Sequence, residues 1–223
     1  MLDRETDGAL GGPAPTAEII ADAAALDGIA EPWNKLFAEA RPGNPFTSFE
    51  WCRAWWRGFG RSGKRLHVIA VYRRAALIGI IPLYREKYST LGEVYRFLGT
   101  GRSDFPGVLA AVGHERAVLD AAWTSVVERL GYLDVLDLQD QKATDPFIAE
   151  LRRKAVDARL SVHVRTKCVA PRIQFGPGGW DGYLTSKGAS FRKRTRKIER
   201  RIAKTEGLAV ARYQTSRMDG SDC

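Results

Sequence analysis

From Leu26 to Ala40 the apolar residues Leu26, Ile29, Trp33, Leu36 and Phe37 return every three or four positions, the spacing of one helix face. Pro32 interrupts the run, so the spacing predicts a helix that carries Pro32 in a first turn or at a kink. Beyond the breaker run Arg41–Pro45, a second helix is expected over Ser48–Phe59, with Cys52, Trp55, Trp56 and Phe59 on one side. That spacing by itself accounts for the aromatics, which are read as core. The period then changes to two. Arg65–Arg73 alternates, and a second apolar run, Leu77–Arg85, follows a turn at Arg73–Arg74. Together they predict an antiparallel hairpin with Pro82 at an edge or a bulge. Short strands are expected at Ala17–Ala21, Glu93–Leu98, Pro106–Ala111, Leu133–Leu138 and Leu160–Val169, and helices at Glu115–Leu130 and Asp145–Ala158. Alternation of this kind after an opening pair of helices predicts an α/β sheet of mixed direction flanked by helices.

At Pro171–Gly179, PRIQFGPGG, the composition changes, and the expected organisation is a flexible tail at 1–16, one domain at 17–175 and a second unit at 176–223. The second unit would hold a short helix at Trp180–Leu184, a basic helix within Ser186–Gly207 and a strand at Leu208–Tyr213. One helix pair with one strand cannot bury a core, so the chain is expected to stop soon after that unit begins.

The basic helix is the densest chemical signal. Between Lys187 and Lys204 lie nine basic residues and one acid, Glu199, which makes +8 of a formal net charge of +9. Phe191, Thr195, Ile198 and Ile202 form its apolar line, Ser186 or Ser190 is the expected N-cap, and Gly207 closes it. Five like-charged pairs stand four residues apart, costing about 1–2.5 kcal/mol together, and only Arg196/Glu199 offsets them. A helix so charged favours an anion: a substrate phosphate, a nucleic acid, an acidic lipid surface or an acidic part of the same protein. A solvated surface face is the plain alternative. Residues 1–31 hold seven acids against Arg4, so a basic balance does not by itself establish a nucleic-acid partner.

Three cysteines, Cys52, Cys168 and Cys223, without a CxxC or a close pair argue against a disulfide framework or a zinc site. The start of the chain is acidic and rich in Gly and Pro, lacking the apolar stretch of a secretory signal. The most apolar region, His67–Tyr84, is broken by Arg73 and Arg74 and is no transmembrane span. A cytoplasmic location is expected.

Gly99-Thr-Gly101 lacks the third glycine and the following helix of a dinucleotide loop. Asp104, between Ser103 and Phe105 in that loop, presents an exposed carboxylate and is a candidate binding residue, with turn chemistry as the plainer reading. His67, His114 and His163 have no partner at the spacing of a triad or a metal site, so no metal is expected.

The series Phe46-Thr-Ser-Phe-Glu-Trp51 with Trp55, then Ile80-Ile-Pro-Leu83, then Phe97-Leu-Gly99 followed by Ser103-Asp104-Phe105, resembles the first half of the CelD/BcsL-like acetyltransferases. These belong to the GNAT superfamily, are linked to cellulose and other exopolysaccharide synthesis, and are related to the FemAB-like peptidyltransferases. Pro171-Arg-Ile173, Trp180-Asp-Gly-Tyr183-Leu184 and Phe191-Arg192 through Arg200-Arg201 are similar to that family's entry into its second half. The resemblance spans about residues 17–214. It implies two GNAT-like units in tandem and acyl transfer from acetyl-CoA or another acyl-CoA to an amine or hydroxyl. It also implies a basic segment close to the substrate.

The resemblance implies that the acyl donor belongs to the second unit, which continues beyond the end of this chain in the family, so a truncated or frameshifted member is expected. Arg96-Phe-Leu-Gly99-Thr-Gly101 matches the letters of a GNAT pyrophosphate loop but runs into a strand instead of a helix. The leading expectation is therefore an acyl-CoA-dependent N- or O-acyltransferase in which Arg192, Arg196 and Arg200 bind an anionic, glycan-linked acceptor or a donor phosphate. The alternative is a non-catalytic module that binds nucleic acid or an anionic surface through the basic helix. No aromatic interrupts Arg192–Lys204 to stack on bases, which disfavours nucleic acid.

Overall fold

The computed structural model describes residues 14–40, 44–61, 63–127, 130–169, 171, 173–205 and 207. The chain divides into two compact units, Met1–Lys167 and Cys168–Cys223.

The first unit opens with strand β1 (Thr16–Ile20), and Asp22 caps helix α1 (Ala23–Gly28) by accepting the Ala25 N–H at 2.8 Å. The predicted helix over Leu26–Ala40 is interrupted at Ile29. Helix α2 (Ala30–Ala40) restarts with Pro32 in its first turn, where a missing N–H sacrifices no helical bond. Asn44 and Ser48 then cap a 3-10 turn, Pro45–Thr47, and helix α3 (Phe49–Phe59). Cys52 and Trp55 are buried as expected, while Phe59 at the end of the stripe is exposed. Arg53 of α3 forms an ion pair with Asp27 at the end of α1.

Strands β2 (Lys64–Arg73) and β3 (Ala76–Lys87) form the predicted hairpin. Its turn lies at Arg74–Ala75, where φ is 50° and 65°, left-handed values in keeping with the twist of a two-residue hairpin loop. β1 pairs antiparallel with the outer edge of β2. On the other edge of β3, β5 (Leu109–Ala110) pairs with Gly79 and Ile80, and β4 (Glu93–Phe97) pairs with Leu83–Lys87, both antiparallel. β6 (Val135–Leu136) runs parallel to β4 and makes the sheet mixed.

Pro82 is therefore in a central strand and not at an edge or bulge. Its carbonyl accepts the Leu98 N–H at 2.7 Å, so the side that lacks a donor is the one where β3 exchanges β5 for β4. The β2 ladder on the opposite side is unaffected, and the register shift in this hairpin lies at Val71/Tyr72 instead.

Both faces of the sheet are covered. Leu66, Val68, Ile80 and Tyr84 pack with Leu26, Trp33, Leu36, Cys52 and Trp55 of α1–α3. On the opposite face, Ile69, Val71, Ile81, Leu83 and Phe97 pack under Val118, Ala122 and Val126 of helix α4 (Glu115–Val127), with Phe147 of helix α5 (Pro146–Asp157) at the margin. The absence of a side chain at Gly79 admits α4: a Cβ there would lie 2.4 Å from both Val118 methyls.

The strand predicted over Leu160–Val169 does not form. Those residues are exposed and join no strand, and Val164 and Val169 face solvent. Period-two alternation only says which residues share a face. A ladder also needs a neighbouring edge, and β6 is two residues long. Thr16, placed in the tail by the sequence, opens β1, while residues 1–13 and the strand expected at Leu208–Tyr213 lie outside the described residues.

In the second unit, helix α6 (Gly179–Thr185) is followed by helix α7 (Ala189–Ala203). Neither Ser186 nor Ser190 caps α7: Gly188 holds that position with no side-chain hydrogen bond, and the helix ends at Ala203, before Gly207. Neither helix has a buried residue. Among the described residues no helix is long and apolar enough to cross a membrane.

Candidate functional site

In the first unit, β4 and β6 pair at Val94/Val135 and Tyr95/Leu136, and the Asp137 N–H donates to the Tyr95 carbonyl at 2.9 Å. Past that bond the ladder ends. β4 leads into the loop Leu98–Val108, while β6 leads into Asp137–Gln141. The wedge between them is crossed by side chains. Arg96 Nε donates to Asp137 at 2.8 Å, Arg96 Nη1 donates to Glu86 at 2.7 Å, and Lys64 pairs with the other Glu86 oxygen at 3.2 Å. Gln139 donates to Asp137, and Gln141 donates to the Pro106 carbonyl at 2.6 Å. Tyr84 lies under this network against Trp55, and burial holds its phenol above the usual range, with Glu86 adding to the effect and the Arg96 hydrogen bond opposing it.

The loop itself is locked. Gly99 and Gly101 have φ of 98° and 80°, and the N–H groups of Thr100, Arg102 and Ser103 donate back to Phe97 and Gly99 carbonyls. Ser103 Oγ accepts the Trp51 Nε1–H at 2.8 Å, and a Cβ on Gly99 would lie 2.1 Å from that same oxygen. Asn44 holds the far end through the Phe105 carbonyl at 2.7 Å. Asp104 is exposed in this loop, between Arg102 over the Phe59 ring and Phe105 under Lys142.

These residues do not fit the pyrophosphate of an acyl-CoA. Arg96-Phe-Leu-Gly99-Thr-Gly101 is at the end of the right kind of strand, but the N–H of Thr100 within it and those of Arg102 and Ser103 just after it are turned inward. Arg96 is committed to two carboxylates. The helix that should follow begins only at Glu115, whose carboxylate accepts the Gly113 N–H and places negative charge at that helix's start. The sequence could not reveal the wedge network, because Arg96 and Asp137 are 41 residues apart and meet only through the parallel β4/β6 register.

The second unit holds the three arginines singled out by sequence. Arg192 donates through Nη1 to the Lys187 carbonyl at 2.6 Å and to the Thr185 carbonyl at 3.3 Å, closing the C-terminal end of α6 where a cation is favoured. Arg196 and Arg200 are exposed. Glu199 accepts the Trp180 Nε1–H at 3.4 Å, and among the described residues no ion pair involves an α7 cation, so Glu199 does not offset Arg196. Lys187 stacks over Tyr183, and Tyr183 meets Phe175, Trp180 and Phe191 in an aromatic cluster. Cys52 is buried, its thiol pushed well above the usual range by burial, and Cys168 is exposed; both are free. Among the described residues no cluster of metal-ligating side chains occurs.

The class these observations define is a mixed α/β sheet flanked by helices, with one parallel strand pair that separates at its C-terminal end. Neither family models nor curated proteins gave a match to this chain. Among solved structures it is similar to the aminoglycoside N-acetyltransferase AAC(6')-Iy in complex with CoA, at 10% identity and a TM-score of 0.35 over 72% of this chain and 98% of the other. It is also similar to a ribosomal-protein-alanine N-acetyltransferase from Brucella melitensis biovar Abortus 2308, at 13% identity and a TM-score of 0.37, over 73% and 100% of the two chains. An aminoglycoside acetyltransferase from an uncultured soil metagenomic sample matches at 14% and 0.37, over 74% and 100%. Overlaps this loose add nothing to the class that the strand order defines.

Proposed function

We propose that the chain is a GNAT-like unit of an acyl-CoA-dependent N- or O-acyltransferase of the CelD/BcsL-like class, followed by a second unit that carries the basic helix. The process it serves is exopolysaccharide or cell-envelope synthesis on the cytoplasmic side. The observation that carries this reading is the strand arrangement: an antiparallel run through β4, then β6 parallel to β4 and separating from it at the glycine turn. At the glycine turn of the first unit the N–H groups of Thr100, Arg102 and Ser103 are turned inward, so the donor is assigned to the second unit. Arg196 and Arg200 are assigned to an anionic, glycan-linked acceptor or a donor phosphate. Arg192 shapes the segment that carries them through its hold on α6, and Asp104 marks the exposed rim of the first unit.

Titration calorimetry on the full chain tests the reading. A uronic-acid oligosaccharide is expected to bind saturably, and Arg196→Glu with Arg200→Glu to weaken it at least about tenfold through the reversed charges. Any saturable acetyl-CoA heat is expected to survive replacement of Gly101, because the donor is assigned to the second unit. Tight acetyl-CoA binding that is lost when Gly101 is replaced would overturn the donor assignment. No binding of any anionic glycan would overturn the acceptor role.

A further inference from the structure

We propose that the α6–α7 hairpin is an interfacial anchor that lays its apolar line into the surface of an anionic lipid bilayer. The proposal deepens the anionic-target reading of the basic helix and is independent of where an acyl donor binds.

Charge alone does not distinguish a lipid surface from other polyanions; the apolar line does. Phe191, Ile198 and Ile202 are 44%, 49% and 46% exposed, and Trp180 and Phe175 of the same unit are 44% and 51% exposed. No residue of α6 or α7 is buried, and about half of this apolar line is open to solvent. At 100° per residue, Arg194 and Arg201 border that line on one side, Glu199 and the carbonyl-bound Arg192 border it on the other, and Lys193, Arg196, Lys197 and Arg200 point away from it. Cations at the borders of an apolar face, with an aromatic cluster at one end, are the arrangement of a helix lying in the plane of a membrane. Long basic side chains reach up to headgroups while Trp and Phe enter the acyl boundary. The only acid on α7, Glu199, is held against Trp180 Nε1.

A nucleic acid would be met by the four cations facing away from the apolar line and would leave Ile198 and Ile202 without a role. A protein partner would require no such excess of one sign. The lipid surface is the target for which both the apolar line and its charged borders are needed. Basic residues near an anionic leaflet each add attraction that falls off within a Debye length, so salt should weaken binding without abolishing it.

The test is flotation of the full chain with vesicles of phosphatidylglycerol and phosphatidylcholine, 3:7, against phosphatidylcholine alone. Partitioning is expected to favour the anionic vesicles at least about tenfold, as for other helices that need two signals to hold a membrane. Ile198→Ser with Ile202→Ser should remove it, and Ile198→Leu with Ile202→Leu should retain it; unchanged thermal unfolding of the first unit shows that the chain is otherwise intact. Brominated acyl chains should quench Trp180, and Trp180→Phe should abolish that part of the quenching. Several results would overturn the proposal. These are binding that survives Ile198→Ser with Ile202→Ser but vanishes on charge reversal, absence of quenching at Trp180, or tighter binding to a single-stranded RNA oligonucleotide than to the vesicles.

Discussion

The two units use charged and apolar residues in opposite ways. In the first, a sheet is packed on both faces and the cations beside it are drawn into ion pairs such as Arg53 with Asp27, Lys64 and Arg96 with Glu86, and Arg85 with Glu93. In the second, two helices bury no residue, and the cations of α7 have no acidic partner among the described residues. The first unit is stabilised by what it encloses. The second presents its chemistry outward, and its charge density is a property of the surface it offers.

The sharpest way to break that contrast is a matched truncation. Leu98→Ala, at a fully buried position, is expected to cost about 2–5 kcal/mol in urea unfolding, the range for a core cavity. Ile198→Ala, at a half-exposed position, should cost less than about 1 kcal/mol. Equal effects at the two positions would show that the hairpin has a core after all. A smaller loss, about 1–3 kcal/mol, is expected for Gly79→Ala, because the added methyl meets Val118 at 2.4 Å and α4 must shift. If thermal melts of Gly79→Ala match the parent, α4 is not held as tightly as the packing implies.

A gentler effect should appear in alkali. Burial holds the phenols of Tyr84 and Tyr95 above their ordinary range, so the folded chain keeps protons that the unfolded chain has released. Their contribution to stability is whole below about pH 10 and declines as pH rises through the raised values. Unfolding midpoints compared at pH 9 and pH 11 should fall, and replacing both residues by Phe should flatten the decline.

Much of the first unit was legible because local rules agreed there. Pro32 in a first turn, Ser48 before α3 and the period-two runs of β2 and β3 each state their own structure. Leu160–Val169 differs because alternation describes a strand's faces but not the edge it would join. Pro82 was misplaced for a related reason: a central strand can hold a proline if its neighbour changes at that residue, and this depends on β4 and β5, which the sequence leaves short and separate. The charge of α7 was plain, and its lack of side-chain capping was not. Arg192 looked like its companions, yet its hold on the carbonyls of Thr185 and Lys187 depends on where α6 ends.

The proline in β3 also explains where the chain turns away. In an extended strand a residue's N–H and C=O point to the same edge, and Pro82 offers only the carbonyl, which Leu98 takes. A β5 that grew towards β4 would meet a residue with nothing to give, so the excursion from Leu98 to Val108 departs where one hydrogen is missing. The loop from Leu98 to Val108 thus leaves the sheet beside the one residue of β3 that has no hydrogen to give.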